Sequence, residues 1–275
     1  LSTRPFVFGQ PSLWILILLL IILALIYDYR KNLKKISMLI IVAISFFSVT
    51  KHPLENEITV LDMEQGRSIF LRDIAGKTIL LDVGEKSERE KKEAWQEKVS
   101  SSNAKRSLIP YLKSRGVAKI DQLVLTTDDT NQLDHVLEIS KAFQLGEILV
   151  TEETLSKREF MDKLKESNFK VRPIKTGEQL FIFGSSLEVI ENQNRDSKAS
   201  IAMYGKLLNQ TFLVTGNIEV KLLTKSCPKL QADVVITHQE TAKKKNDIEV
   251  FKTLQPKITV ISVDKKKKFK EKNGA

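Results

Sequence analysis

The sequence predicts an α/β chain: an αββα sandwich preceded by two transmembrane helices. Three observations predict it. Two uncharged apolar runs, 5–27 and 36–50, open the chain. Beyond residue 55 strand-like and helix-like segments alternate. Two strand-rich halves are each followed by βα repeats, which suits two sheets packed between outer helices.

Taken in order, the first run holds 23 residues and reaches roughly 34 Å as a helix, enough for a hydrocarbon core of about 30 Å. The second run holds 15 residues, so Lys34, Lys35 and Lys51 must snorkel or the bilayer must thin. A buried core helix or a signal peptide are its alternative readings. Arg30, Lys31, Lys34 and Lys35 crowd the short connection, and positive short loops stay cytoplasmic. The N-terminus and everything after Thr50 are therefore expected outside, in a bacterial cell membrane. The chain begins with Leu1 rather than Met, which suggests the last two spans of a longer multi-pass protein. The expected division is a hairpin at 1–52, an extracytoplasmic domain at 53–264 and a basic tail at 265–275.

Within that domain, strands are predicted at 58–61, 68–72 and 77–82, with a hairpin turn at Ala75-Gly76. Residues 85–106 are charged and read as an exposed insertion, followed by a short helix at 108–115 that Gly116 closes. Strands at 122–126, 147–150 and 170–173 then alternate with helices at 130–143 and 156–167. Four strands (179–183, 187–190, 200–204, 211–215) follow, then helix 218–225, strand 233–237, helix 247–254 and strand 258–263.

Composition excludes several functions. Cys227 is the single cysteine, so a disulfide framework or a cysteine-built zinc site within the chain is ruled out. Three histidines, His52, His135 and His238, leave little for an imidazole-rich metal centre; His52 reads as a membrane-boundary residue. The net charge of +10 is concentrated in the inter-span loop and in six lysines of the tail, which does not suit a duplex-DNA binder with a basic face. Lys243, Lys244, Lys245 and the run Lys265, Lys266, Lys267, Lys268 offer contacts to DNA phosphates or anionic lipid; their alternative reading is a solvated tail.

Six segments in order resemble the C-terminal metallo-β-lactamase-like domain of the ComEC family of competence DNA-uptake membrane proteins. The stretch from Leu61 to Ser68 looks like its "LDVGQGDS" signature, and Lys77 to Gly84 looks like "KTILIDTG". Ile109 to Gly116 with Ile120-Asp121 looks like "IPYLKSRGIKKID". Thr215-Gly216-Asn217, Ala232-Asp233-Val234 and Ile258 to Val263 look like the later blocks. The resemblance covers nearly the whole chain and implies a role in moving one DNA strand across the membrane. Its implied partners are the remainder of the transmembrane channel, single-stranded DNA in transit, and DNA-receptor and nuclease proteins.

The resemblance also implies where metal chemistry belongs. Phosphodiester hydrolysis on this fold uses metal-activated water held by histidines and carboxylates. Against the family's "THPDADH" loop, this chain has Thr127 for the first histidine, keeps Asp129, and has Asn131 and Gln132 for the last two ligands. Asn217 stands where the family has the bridging aspartate; His238 matches the final "HHGS" block in an unsettled register. Asp62 and Asp82 match carboxylates that orient loops, and Arg67 replaces an acid. Thr, Asn and Gln are weak neutral ligands, so the expectation is a retained fold with no metal and no catalysis. The rival is a remodelled magnesium, manganese or zinc site drawn from Asp82, Asp128, Asp129, Asp134, His135 and His238. Against that rival, residues 128–134 also read as a helix cap and first turn. Three functions stand: a DNA-internalisation module with a degenerate hydrolase-like domain, an extracytoplasmic nuclease with a remodelled site, and a two-span anchored binding protein.

Overall fold

The structure is a computed structural model, describing residues 13–29, 31–50, 55–63, 66–84, 102–127, 132–165, 169–182, 185–191, 200–207, 210–216, 218, 223, 227, 230–238 and 254–262. Two helices open it, α1 (Leu13–Asp28) and α2 (Leu33–Thr50). They sit on the two apolar runs and pack on one another, with Lys35 Nζ 4.4 Å above the Tyr29 ring at the turn. α1 carries 16 residues, about 24 Å of helix. Among the described residues no helix is long and apolar enough to cross a membrane.

The rest builds two six-stranded sheets. The first runs β1 (Glu57–Asp62), β2 (Arg67–Arg72), β3 (Thr78–Leu81), β4 (Lys119–Val124), β5 (Gln144–Val150) and β6 (Val171–Pro173). β1, β2 and β3 form an antiparallel meander, and β3 to β6 are parallel. The second sheet repeats this logic. β7 (Gln179–Ile182), β8 (Ser185–Glu191), β9 (Ile201–Leu207) and β10 (Gln210–Val214) are antiparallel; β11 (Val234–His238) and β12 (Ile258–Ser262) continue in parallel.

Side-chain alternation explains why the sheets stack. In β2, Ile69 and Leu71 join the cluster between the sheets, whereas Phe70 joins the cluster under the helices. In β10, Phe212 and Val214 face between the sheets, whereas Leu213 joins a third cluster with Ile218, Leu223 and Leu254. Both sheets are thus apolar on both faces, which demands cover on each side. The first receives α3 (Ile109–Ser114), α4 (Gln132–Ala142) and α6 (Arg158–Lys165) through Leu112, Val136 and Phe160. Gly205 in β9 faces this inter-sheet layer, where a Cβ would lie 2.5 Å from the Phe212 ring.

Three expectations are corrected. The helix expected at 156–167 begins at Arg158 as α6, and an unexpected short helix, α5 (Glu152–Ser156), precedes it across Lys157, which turns extended at ψ 113°. The exposed insertion expected through residue 106 ends earlier, because Asn103 and Ala104 are buried and Ala104–Leu108 winds as a π-helical turn running into α3. The third strand stops at Leu81, since Asp82 takes a left-handed backbone at φ 55°. The helices expected at 218–225 and 247–254 lie almost wholly outside the described residues.

Candidate functional site

The candidate site forms where strand ends of both sheets meet. At the end of β3, Asp82 is buried, 5% exposed, and its left-handed backbone turns the chain sharply. Its Oδ1 accepts the Thr126 N–H at 2.7 Å and its Oδ2 accepts the Thr126 hydroxyl at 2.7 Å. The carboxylate thereby fixes the loop that leaves β4. Burial pushes the Asp82 carboxyl above its ordinary value, opposed by the positive charge of Arg67 and by hydrogen bonds from Thr126 and Gln132.

Thr127 follows and bridges to Ser200 of the second sheet, while the Ile201 N–H donates to Thr126 O at 2.8 Å. Gln132 opens α4, is 3% exposed, and donates from Nε2 to Thr127 Oγ1 at 2.9 Å. Two positions where the resemblance implies histidine ligands therefore bond to one another. Asp134 sits in the first turn of α4, in keeping with a helix-start reading. His135 is 1% exposed and its Nδ1 lies 3.0 Å from Val83 O, tying α4 to the loop after β3.

The second sheet supplies Thr215 and Thr237, both fully buried, with hydroxyl oxygens 3.0 Å apart. Gly216 has φ +58°, and a Cβ there would meet Ile201 O at 2.4 Å, so only glycine fits this turn without strain. Its carbonyl accepts a hydrogen bond from the Arg67 guanidinium at 2.9 Å. Arg67 is 5% exposed and begins β2, in register opposite Asp62, which is exposed at the end of β1. Ser262 at the end of β12 donates to Gly66 O at 3.1 Å.

The structure thus brings together Asp82, Thr127, Gln132 and His135 with Arg67, Thr126, Ser200, Thr215 and Thr237. Asp128, Asp129, Asn131, Asn217, Lys243 to Lys245 and Lys265 to Lys268 lie outside the described residues, and for His238 only the strand position is described, opposite Ser262. Among the described residues no group of three His, Cys, Asp or Glu side chains is placed to hold a metal ion. Sequence reading missed Thr126 and Ser200. The available signal for Thr126 was its place at the end of a buried strand, next to the ligand loop.

No family model matches the chain. Across 227 residues it is 22% identical to ComE operon protein 3 of Bacillus subtilis (strain 168), covering 78% of this chain and 29% of the relative. The chain therefore spans less than a third of the curated relative it matches. Among solved structures, the metallo-β-lactamase fold protein YhfI from Bacillus subtilis aligns with a TM-score of 0.48 and 11% identity, over 72% of this chain and 79% of that one. CmlA, a diiron β-hydroxylase from Streptomyces venezuelae, aligns with a TM-score of 0.46 and 13% identity, over 76% of this chain and 45% of that one. The chain is similar to ComE operon protein 3, and its two stacked six-stranded sheets, with helices described on the outer face of the first, agree with the sheet pair of the sandwich expected from the sequence.

Proposed function

We propose that this chain is part of a membrane DNA-internalisation protein, with a metallo-β-lactamase-like domain outside the membrane that no longer binds catalytic metal. The observation that carries the reading is the similarity to ComE operon protein 3 in a chain whose cleft pairs Thr127 with Gln132.

Among the described residues the donor chemistry does not fit a divalent ion. A hydroxyl and an amide are neutral, weak ligands for such an ion, and here the Thr127 hydroxyl accepts the Gln132 amide N–H. The nearby carboxylate of Asp82 has both oxygens committed to Thr126. A buried guanidinium adds positive charge to the same cleft, opposing the approach of a second cation. What this arrangement does is hold a shape: Asp82 fixes the β4 loop, and the Thr127–Ser200 bridge closes the two sheets. Such a rigid, hydrolytically silent module is suited to guiding a DNA strand or docking a partner nuclease.

The membrane half of the proposal rests on α1 and α2. α1 is apolar all round, with Trp14 77% exposed and Leu20 and Leu23 also bare, as expected of a helix covered by lipid or by other spans. The lysines and Arg30 between the helices support a cytoplasmic side for that connection.

Deleting the gene tests the reading. Transformation should be abolished while DNA still binds the cell surface; normal transformation in the deletion strain would refute it. Restoring the deletion with Asp129→Ala separates this function from a nuclease with a remodelled site. That variant should transform normally here, and should fail if Asp129 serves catalysis.

A further inference from the structure

Arg67 is a charged side chain held almost wholly inside the protein. An unpaired buried guanidinium is strongly unfavourable, so its surroundings must compensate the charge. One terminal N–H group donates to Gly216 O, which reaches from the first sheet to the second. The chain around it is tied down on both sides. Gly84 N–H donates to Arg67 O at 3.1 Å, the Ser68 hydroxyl donates to Asp82 O at 2.7 Å, and the Ser262 hydroxyl donates to Gly66 O. Ser68, the residue after Arg67, is thus bonded to the Asp82 backbone, the Arg67 charge opposes the effect of burial on the Asp82 carboxyl, and Asp62 stands opposite Arg67 across the β1–β2 pair. Gly216 immediately precedes Asn217, the position to which the sequence resemblance gives a metal-bridging carboxylate.

We propose that the Arg67 guanidinium takes the place of a divalent cation in this cleft, serving as the built-in positive charge that holds Asp82 and the two sheet ends together. The inference rests on the metal-free reading above and adds what replaced the metal. A cation site emptied of its ligands would leave strand-end carboxylate and carbonyl groups facing one another without a positive partner. Arginine meets that need with a delocalised charge that is always present and with several fixed donors. It also makes the domain's integrity independent of metal supply.

The test uses the full chain in detergent micelles and reads thermal midpoints with excess chelator, with added manganese and with added zinc. The wild-type midpoint should be the same in all three. Arg67→Gln keeps a donor and removes the charge; Arg67→Lys keeps the charge on a different head group. Arg67→Gln should lower the midpoint by about 5–10 °C, and Arg67→Lys by less. Combining Arg67→Gln with Asp82→Asn should lower it by less than the two single losses together, because each single change strands the opposite charge. A wild-type midpoint that rises with metal and falls with chelator refutes the metal-free reading and this inference with it. An unresponsive wild type with Arg67→Gln as stable as Arg67→Lys, or with additive losses in the double variant, refutes this inference alone.

Discussion

Asp82 grips Thr126 at two points, taking the backbone N–H on one carboxylate oxygen and the hydroxyl on the other, each at 2.7 Å. The pair joins the ends of two neighbouring parallel strands, β3 and β4, where the chain turns into the cleft. Asp82 does this from a left-handed backbone, which aspartate and asparagine tolerate better than most residues.

Asp82→Ala should therefore cost more than a lost contact. It leaves the buried Thr126 N–H unpaired and puts alanine, without the polar side chain that helps aspartate tolerate this backbone, at positive φ, together about 2–4 kcal/mol. Asp82→Asn keeps the backbone preference and one acceptor and should cost less. Urea unfolding of both variants, compared at equal slope, checks the order.

Gly216→Ala should destabilise by about 2–3 kcal/mol, since the added Cβ meets a backbone carbonyl at a left-handed position. The same substitution should displace the carbonyl that Arg67 holds. Denaturant midpoints of Gly216→Ala report the loss, and a midpoint equal to wild type would contradict the turn described above.

The architecture was legible because the strands read as short apolar runs alternating with helical segments; that Ile69 and Leu71 pack between the sheets and Phe70 under the helices is visible only in the structure, since all three are apolar. The site was legible only in part. Thr127 and Gln132 could be named from motif spacing, but their mutual hydrogen bond depends on how α4 enters. The Arg67–Gly216 bond spans 149 residues, and no local pattern reports a contact of that range. The short helix α5 ahead of Lys157 was missed; Thr151, which caps it by accepting from the Thr154 N–H, is the residue that marks it.

Acid should weaken the domain through two named carboxyls. Burial works to raise Glu57, but hydrogen bonds from Arg115, Tyr111 and Thr59 and the Arg115 charge outweigh it, holding it below its ordinary 4.5. Asp233, bonded by Lys257 and by the Thr211 N–H and hydroxyl, is lowered from 3.8 to about 2. A carboxyl depressed in the folded state stabilises above its unfolded value and loses that contribution as pH falls through its folded value. Asp233 should thus lose its contribution between about pH 4 and pH 2. Thermal midpoints followed against pH should fall less steeply there for Asp233→Asn; an unchanged slope would contradict the pairing with Lys257 and Thr211.

Cys227 offers a topology test, being the one cysteine of the chain and partly exposed. A membrane-impermeant maleimide should label it in intact spheroplasts. Labelling that appears only after lysis would place the domain on the cytoplasmic side and reverse the orientation argued from the inter-helix lysines.

The most direct measurement is elemental analysis of the full chain, purified in detergent without chelator and passed over a sizing column. The account expects manganese, zinc and iron all far below one ion per chain. Retention of one or more ions per chain, released only by prolonged chelation, would contradict it.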